Sequence, residues 1–155
     1  MGKRDAIPFI NSAQGIIAII DSSRDCIKTL DLDGNLLSMN KGGQILLEIE
    51  DIQPYLHQSW IDFWKDDDNK NARKAVMEAK KGRTGYFEGY CPTTKGTPKW
   101  WEIIISPIVD DSGKIFQLLS VSRDITKGAR IAAGTCCIKR THEGNELPVR
   151  IFPTC

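Results

Sequence analysis

The chain has no long apolar run. The longest, Ile16 to Ile20, has five residues, where a membrane-spanning helix needs about 20, so no span is expected. An excess of charge is also missing: twenty-one basic residues face twenty acidic ones, a formal +1, and no overall field draws the chain to nucleic acid or an anionic membrane. Lys3 and Arg4 are followed by Asp5 rather than an apolar core, which gives no expectation of a signal peptide. Ala6 stands where N-myristoylation needs Ser or Thr. Cysteine is sparse and unpaired in pattern: of five, Cys26 and Cys91 stand alone, and Cys136, Cys137 and Cys155 fall in the last twenty residues. That argues against a disulfide scaffold and for a cytosolic chain or segment.

What is present fits one globular domain. The 155 residues leave no room for a second full catalytic module, since domains run to roughly 100–200 residues. A composition of 41% hydrophobic and 26% charged residues excludes collagenous and wholly disordered classes.

Local patterns divide the chain. From Pro8 to Ser22, the residues Phe9, Ala13, Ile16, Ile17 and Ile20 fall on one helical face, which predicts an amphipathic helix packed on its domain. Ile10 and Ile19 lie off that stripe and suggest a further apolar contact. Cys26 to Asn40 reads as a hairpin, with Ile27–Leu32 and Leu36–Met39 flanking Asp33-Gly34-Asn35. Asn40 suits the N-cap of a brief helix, and Gly42-Gly43 within it would let another segment come close. Ser59 to Trp64 predicts a helical turn burying aromatics. Asp66-Asp67-Asp68 opens a helix that ends at Lys80-Lys81-Gly82, acids first and lysines last as the helix dipole favours. A divalent-metal reading of the three aspartates is weaker, because no further oxygen ligands follow at a recognisable spacing.

Strands follow over Gly85–Cys91, Lys99–Val109 and Ile115–Ile125, separated by turns at Pro92–Thr97 and Asp110–Lys114. In the middle strand Trp101, Ile103 and Ile105 form an apolar face, while Trp100, Glu102, Ile104 and Ser106 form a mixed one that the first helix is expected to cover. Five strands without βαβ alternation predict an α+β fold: a five-stranded antiparallel sheet with short helices on one face.

Two marks within that order resemble the PAS sensory family. Asp25 to Asn40, with Asp33, Gly34 and Asn40 in register, is similar to the opening PAS hairpin. Asp124-Ile125-Thr126 resembles the exit motif that joins such domains to an output helix. On this reading residues 1–21 are a flanking helix, 22–127 the PAS domain and 128–155 an unassigned tail. The resemblance implies a non-catalytic sensory module, the input of a histidine kinase, which passes a change at the last strand to a downstream output domain. A stand-alone interaction module, or the input of a diguanylate cyclase or transcription regulator, is the alternative.

The residues expected around a core or ligand pocket are Ile27, Ile45, Leu46, Trp60, Phe63, Val76, Trp101, Ile103 and Ile105. With so many bulky groups, the alternative is a solidly packed core, which would make the module a dimerisation and relay domain without a cofactor. An absent or unidentified ligand is favoured over any specific cofactor. Flavin photochemistry of the family's light sensors needs a cysteine-bearing helix, where this chain has Gln44-Ile45-Leu46-Leu47. A haem would have only His57 as ligand. Cys91 reads as a structural thiol, because no His–acid pattern supplies it with a base. Cys136, Cys137, His142 and Cys155 match no familiar zinc spacing. The excess apolar surface of the first helix predicts a homodimer.

Overall fold

The computed structural model describes residues 12–128. Ser12 caps the first helix, α1 (Ala13–Ser22), its hydroxyl accepting from the Gly15 amide at 2.9 Å. Two strands follow, β1 (Cys26–Leu30) and β2 (Leu36–Met39), then α2 (Lys41–Leu46). Short 3-10 turns at Gln53–Tyr55 and Ile61–Phe63 lead into α3 (Asp66–Lys80), and β3 (Gly85–Tyr90), β4 (Trp100–Val109) and β5 (Ile115–Asp124) complete the fold. The strands make one antiparallel sheet in the order β2-β1-β5-β4-β3. The predicted α+β architecture and order of elements are those observed, with boundaries within a residue for the last three strands.

The hairpin turn is built as its residues dictate. Gly34 takes φ +85°, a left-handed conformation that costs glycine little. The Asp31 carboxylate accepts from the amides of Asp33 and Asn35, each at 2.9 Å, and from the Asn35 side chain at 2.8 Å. Asn40 is the N-cap of α2, as expected, and more: its Oδ1 accepts from Gly43 N and Ile27 N, and its Nδ2 donates to Ile20 O. One side chain thus ties α1, β1 and α2 together. The Gly42-Gly43 pair makes that junction possible, because a Cβ on Gly42 would lie 2.1 Å from Ser23 O and one on Gly43 2.5 Å from Cys26 Sγ.

The first helix departs from its predicted role. Gly15 is its buried residue, while Ile16, Ile17, Ile19 and Ile20 are exposed, Ile17 at 58%. The helix docks through its C-terminal end on α2, where Lys41 N donates to Asp21 Oδ1 at 2.9 Å. It does not cover the mixed face of the sheet, where Tyr86, Ile104 and Phe116 stay exposed. Phe9 and Ile10 lie outside the described residues, as do Cys136, Cys137, His142 and Cys155.

α3 packs on β3 and β4 through Ala72, Ala75, Val76 and Ala79, all buried with Phe87, Ile103 and Ile105. Its three aspartates form the first turn, matching the helix-start reading. Asp68 is buried and accepts from Tyr90 N at 2.9 Å, clamping the helix to β3. No helix among the described residues is long and apolar enough to cross a membrane.

Candidate functional site

The core is not packed solid. A cavity of about 620 Å³ lies between the inner face of the sheet and the arm that runs from α2 to the start of α3, within the roughly 300–1,000 Å³ of small-molecule sites. Cys26 and Lys28 of β1, Leu36 and Met39 of β2, Trp101 of β4 and Ser122 of β5 form its floor. Leu47, Ile49, Tyr55, Trp60 and residues 62–66 form the roof, and Tyr90 to Thr94 one side.

Strand pairing decides what faces this space. Cys26, Lys28 and Leu30 of β1 point inward opposite Ser122, Ser120 and Leu118 of β5. Lys28 is only 4% exposed. Its Nζ donates to Ser122 Oγ at 2.8 Å and stands 6.0 Å from the centroid of the Trp60 ring. The roof is stiffened by edge-to-face aromatic pairs, Trp60 with Trp64 at 5.6 Å and Trp64 with Phe87 at 4.9 Å.

A latch fastens one side of the cavity. The Thr93 and Thr97 hydroxyls both donate to Glu48 Oε2, and Thr94 donates through its amide to Leu47 O and its hydroxyl to Glu48 O. The Thr93 hydroxyl, followed by that of Thr97, holds the Glu48 carboxyl below its ordinary value. Glu48 has φ +57°, an uncommon conformation for a side chain of its length, and the threonine bonds keep it there.

The expected pocket residues separate into groups. Trp60, Phe63 and Trp101 line the cavity. Val76, Ile103 and Ile105 are buried in the packed core beside it, and Leu46 packs partly buried against that core. Ile27 is a correction: it lies on the outer parity of β1 in register with Val121, so Lys28 takes the inward place. Ile45 is a second correction, at 68% exposure on the solvent side of α2; the buried Gly43 faces inward instead, close to Cys26. Sequence reasoning missed Lys28, Ser122 and Glu48. The matching parity of Cys26 and Leu30 was the one signal that could have turned Lys28 inward.

The residues weighed for cofactor chemistry are also placed. Cys26 and Cys91 both border the cavity. Burial pushes the Cys91 thiol up, away from the reactive thiolate. His57 is exposed and outside the cavity lining, its backbone amide bonded to Leu36 O at 2.7 Å.

At the end of β5 the exit residues are bonded to β4. Asp124 pairs with Lys99 and accepts from Thr126 N at 2.9 Å, Thr126 Oγ1 accepts from Trp100 N at 3.0 Å, and Ile125 N donates to Trp100 O at 2.9 Å. Burial acts to raise the Asp124 carboxyl, but the bonds from Lys99 and Thr126 outweigh it and hold the group below its ordinary value.

A five-stranded antiparallel sheet in the order 2-1-5-4-3, closed over a cavity by a helical arm, defines the class: the sensory α+β fold that the two sequence marks resemble. A family model described as the PAS fold matches residues 20–130, and the chain belongs to that family. Among solved structures it is similar to the PAS domain of an HTR-like protein from Haloarcula marismortui, with 22% identity, a TM-score of 0.61, and 73% of this chain and 91% of that one covered. A domain of a sensory box sensor histidine kinase/response regulator from Geobacter sulfurreducens gives 18% identity and a TM-score of 0.59 over 72% and 93% of the two chains. An RNA-binding light-oxygen-voltage receptor gives 15% and 0.66 over 83% of this chain and 36% of that one. No curated protein matches the chain.

Proposed function

We propose that this PAS domain is the input module of a cytoplasmic histidine kinase, sensing a small ligand in its cavity and relaying the change through Asp124, Ile125 and Thr126. The observation that carries the reading is that β5 serves both ends of the path. Ser122 lines the cavity, and two residues on Asp124 anchors the exit. A ligand that displaces Ser122 acts on the strand whose last residue sets the direction of the outgoing chain. Such a switch needs no chemistry of its own, only different affinities for two arrangements, and the domain by itself is not an enzyme. Flavin and haem are not the expected occupants, given the raised Cys91 thiol and the position of His57.

The test is hydrogen exchange on Asp124→Ala. Exchange at residues 124–128 should rise while residues 60–64 stay as protected as before; an exit that remains protected overturns the relay.

The same reading includes a homodimer through α1, supported by its four exposed isoleucines, and a downstream output domain reached from residues 126–128, which turn helical. Light scattering should give twice the chain mass at high concentration. A monomer there, unchanged on deleting residues 1–21, sinks the dimer and leaves the alternative of a stand-alone interaction module.

A further inference from the structure

Lys28 is out of place in this cavity. A buried ammonium is costly unless a counter-charge and hydrogen bonds compensate it. The group has three N–H donors, and among the described residues its one hydrogen bond is to the neutral Ser122 hydroxyl. The Trp60 ring, 6.0 Å away, adds only a weak attraction. Asp62 and Asp66 border the cavity, but both are exposed at its rim and neither forms an ion pair with Lys28, while the buried Asp68 is engaged by Tyr90 N. The cavity that Lys28 shares is lined largely by apolar and aromatic side chains, among them Leu36, Met39, Ile49, Tyr55, Phe63 and Trp101.

We infer that the cavity takes an aryl carboxylate, with the carboxylate on Lys28 Nζ and the ring among the aromatic walls. This rests on the proposed reading of the cavity as the sensory site and narrows it to a ligand class. Lys28 is the buried cation of the cavity, Lys65 being exposed at its rim, and with one hydroxyl beside it Lys28 balances a single negative charge. A phosphate dianion would leave charge unpaired in the same walls, and a neutral ligand would leave Lys28 uncompensated. The carboxylate oxygens have the geometry to accept from Lys28 and from Ser122 at once, because the two donors already stand 2.8 Å apart. A carboxylate that accepts from Ser122 fixes the direction of its hydroxyl, whose oxygen can still accept from Lys28, and Ser122 lies two residues before the exit aspartate. A carboxylate is thus the occupant whose arrival reaches β5 directly.

The test is isothermal titration of the full chain with phenylacetate, 3-phenylpropionate and 4-phenylbutyrate, each against its own amide, and with inorganic phosphate. At least one acid should bind about tenfold or more tightly than its amide, as expected for a charge-assisted bond in a buried site, with phosphate not binding. Lys28→Met should remove the preference, so that acid and amide bind alike, and Ser122→Ala should reduce it while leaving the fold intact by circular dichroism. If Lys28→Met fails to fold, the ratio in Ser122→Ala decides the matter. Equal binding of acid and amide to the native chain overturns Lys28 as the recognition group while leaving the cavity a ligand site. Binding of none of the acids, or of phosphate as tightly, overturns the aryl-carboxylate class. The sensory reading is judged separately by exchange at the exit in Asp124→Ala.

Discussion

The inner face of the sheet has a filled half and a hollow half. Over β3 and β4, the small residues Ala72, Ala75 and Ala79 let α3 lie close, and Val76, Phe87, Ile103 and Ile105 fill the space. Around Cys26, Lys28, Met39, Trp101 and Ser122 no long helix is laid down. The roof there is α2, two 3-10 turns and connecting loop, and it leaves about 620 Å³ open. The same sheet surface is therefore stabilised by dense packing at one end and by specific polar bonds at the other. Asp68 links α3 to β3 in the filled half with one bond to Tyr90 N. Glu48 takes several threonine donors to fasten the side of the hollow half. Dense packing and open space are separated along one sheet, which is how a domain keeps a cavity without losing its fold.

Enlarging side chains in the two halves should give the largest contrast. Ala75→Leu adds atoms where a Cβ on Gly85 would already lie 2.3 Å from Ala75 O, and should cost about 1–3 kcal/mol in urea unfolding, the range for overpacking a full core. Met39→Phe projects into free space and should cost less than about 1 kcal/mol. Equal losses from both would mean that the hollow half is as tightly filled as the other.

A smaller effect comes from acid. Glu48 and Asp124 have folded values below their ordinary 4.5 and 3.8. Because the folded values are the lower ones, their contribution to stability is complete above those ordinary values and is lost as pH falls through them towards the folded ones. Hydrogen exchange at residues 93–97 should therefore accelerate as pH drops below 4.5, after correction for intrinsic rates. Glu48→Gln should remove most of that acceleration at this segment and leave residues 72–79 unaffected. A latch whose exchange is indifferent to pH in the native chain breaks the account of how the hollow half is held.

Much of the fold was legible because the signals that specify it are local. The Asp31 to Asn35 turn closes within five residues, Asn40 caps the helix that follows it, and the α3 ends carry charges suited to the helix dipole. Strand alternation in Trp101, Ile103 and Ile105 identified the inward face of β4 correctly. The candidate site was less legible. In Cys26–Leu30, hydrophobicity favours Ile27 over Lys28 as the inward residue, and only pairing with β5 reverses that choice. Helix α2 is too short for a face to be read from its period, so hydrophobicity points Ile45 inward, whereas Gly43 holds the inward position. The apolar stripe of the first helix predicts a core-facing helix, yet its docking is set by Asn40 and Asp21 at its end, so its isoleucines remain outside.

The sequence by itself determined the elements, their order, the hairpin, the capped helices and the family. Each of these depends on residues a few positions apart, where backbone preference, capping and period act without reference to the rest of the chain. Tertiary structure alone decided that the core is hollow at one end, that Lys28 meets Ser122 across 94 residues of sequence, and that Thr93 and Thr97 reach Glu48 across 45 and 49. Those contacts follow from which strands lie side by side and how far the roof stands from the floor, and no local pattern carries that distance.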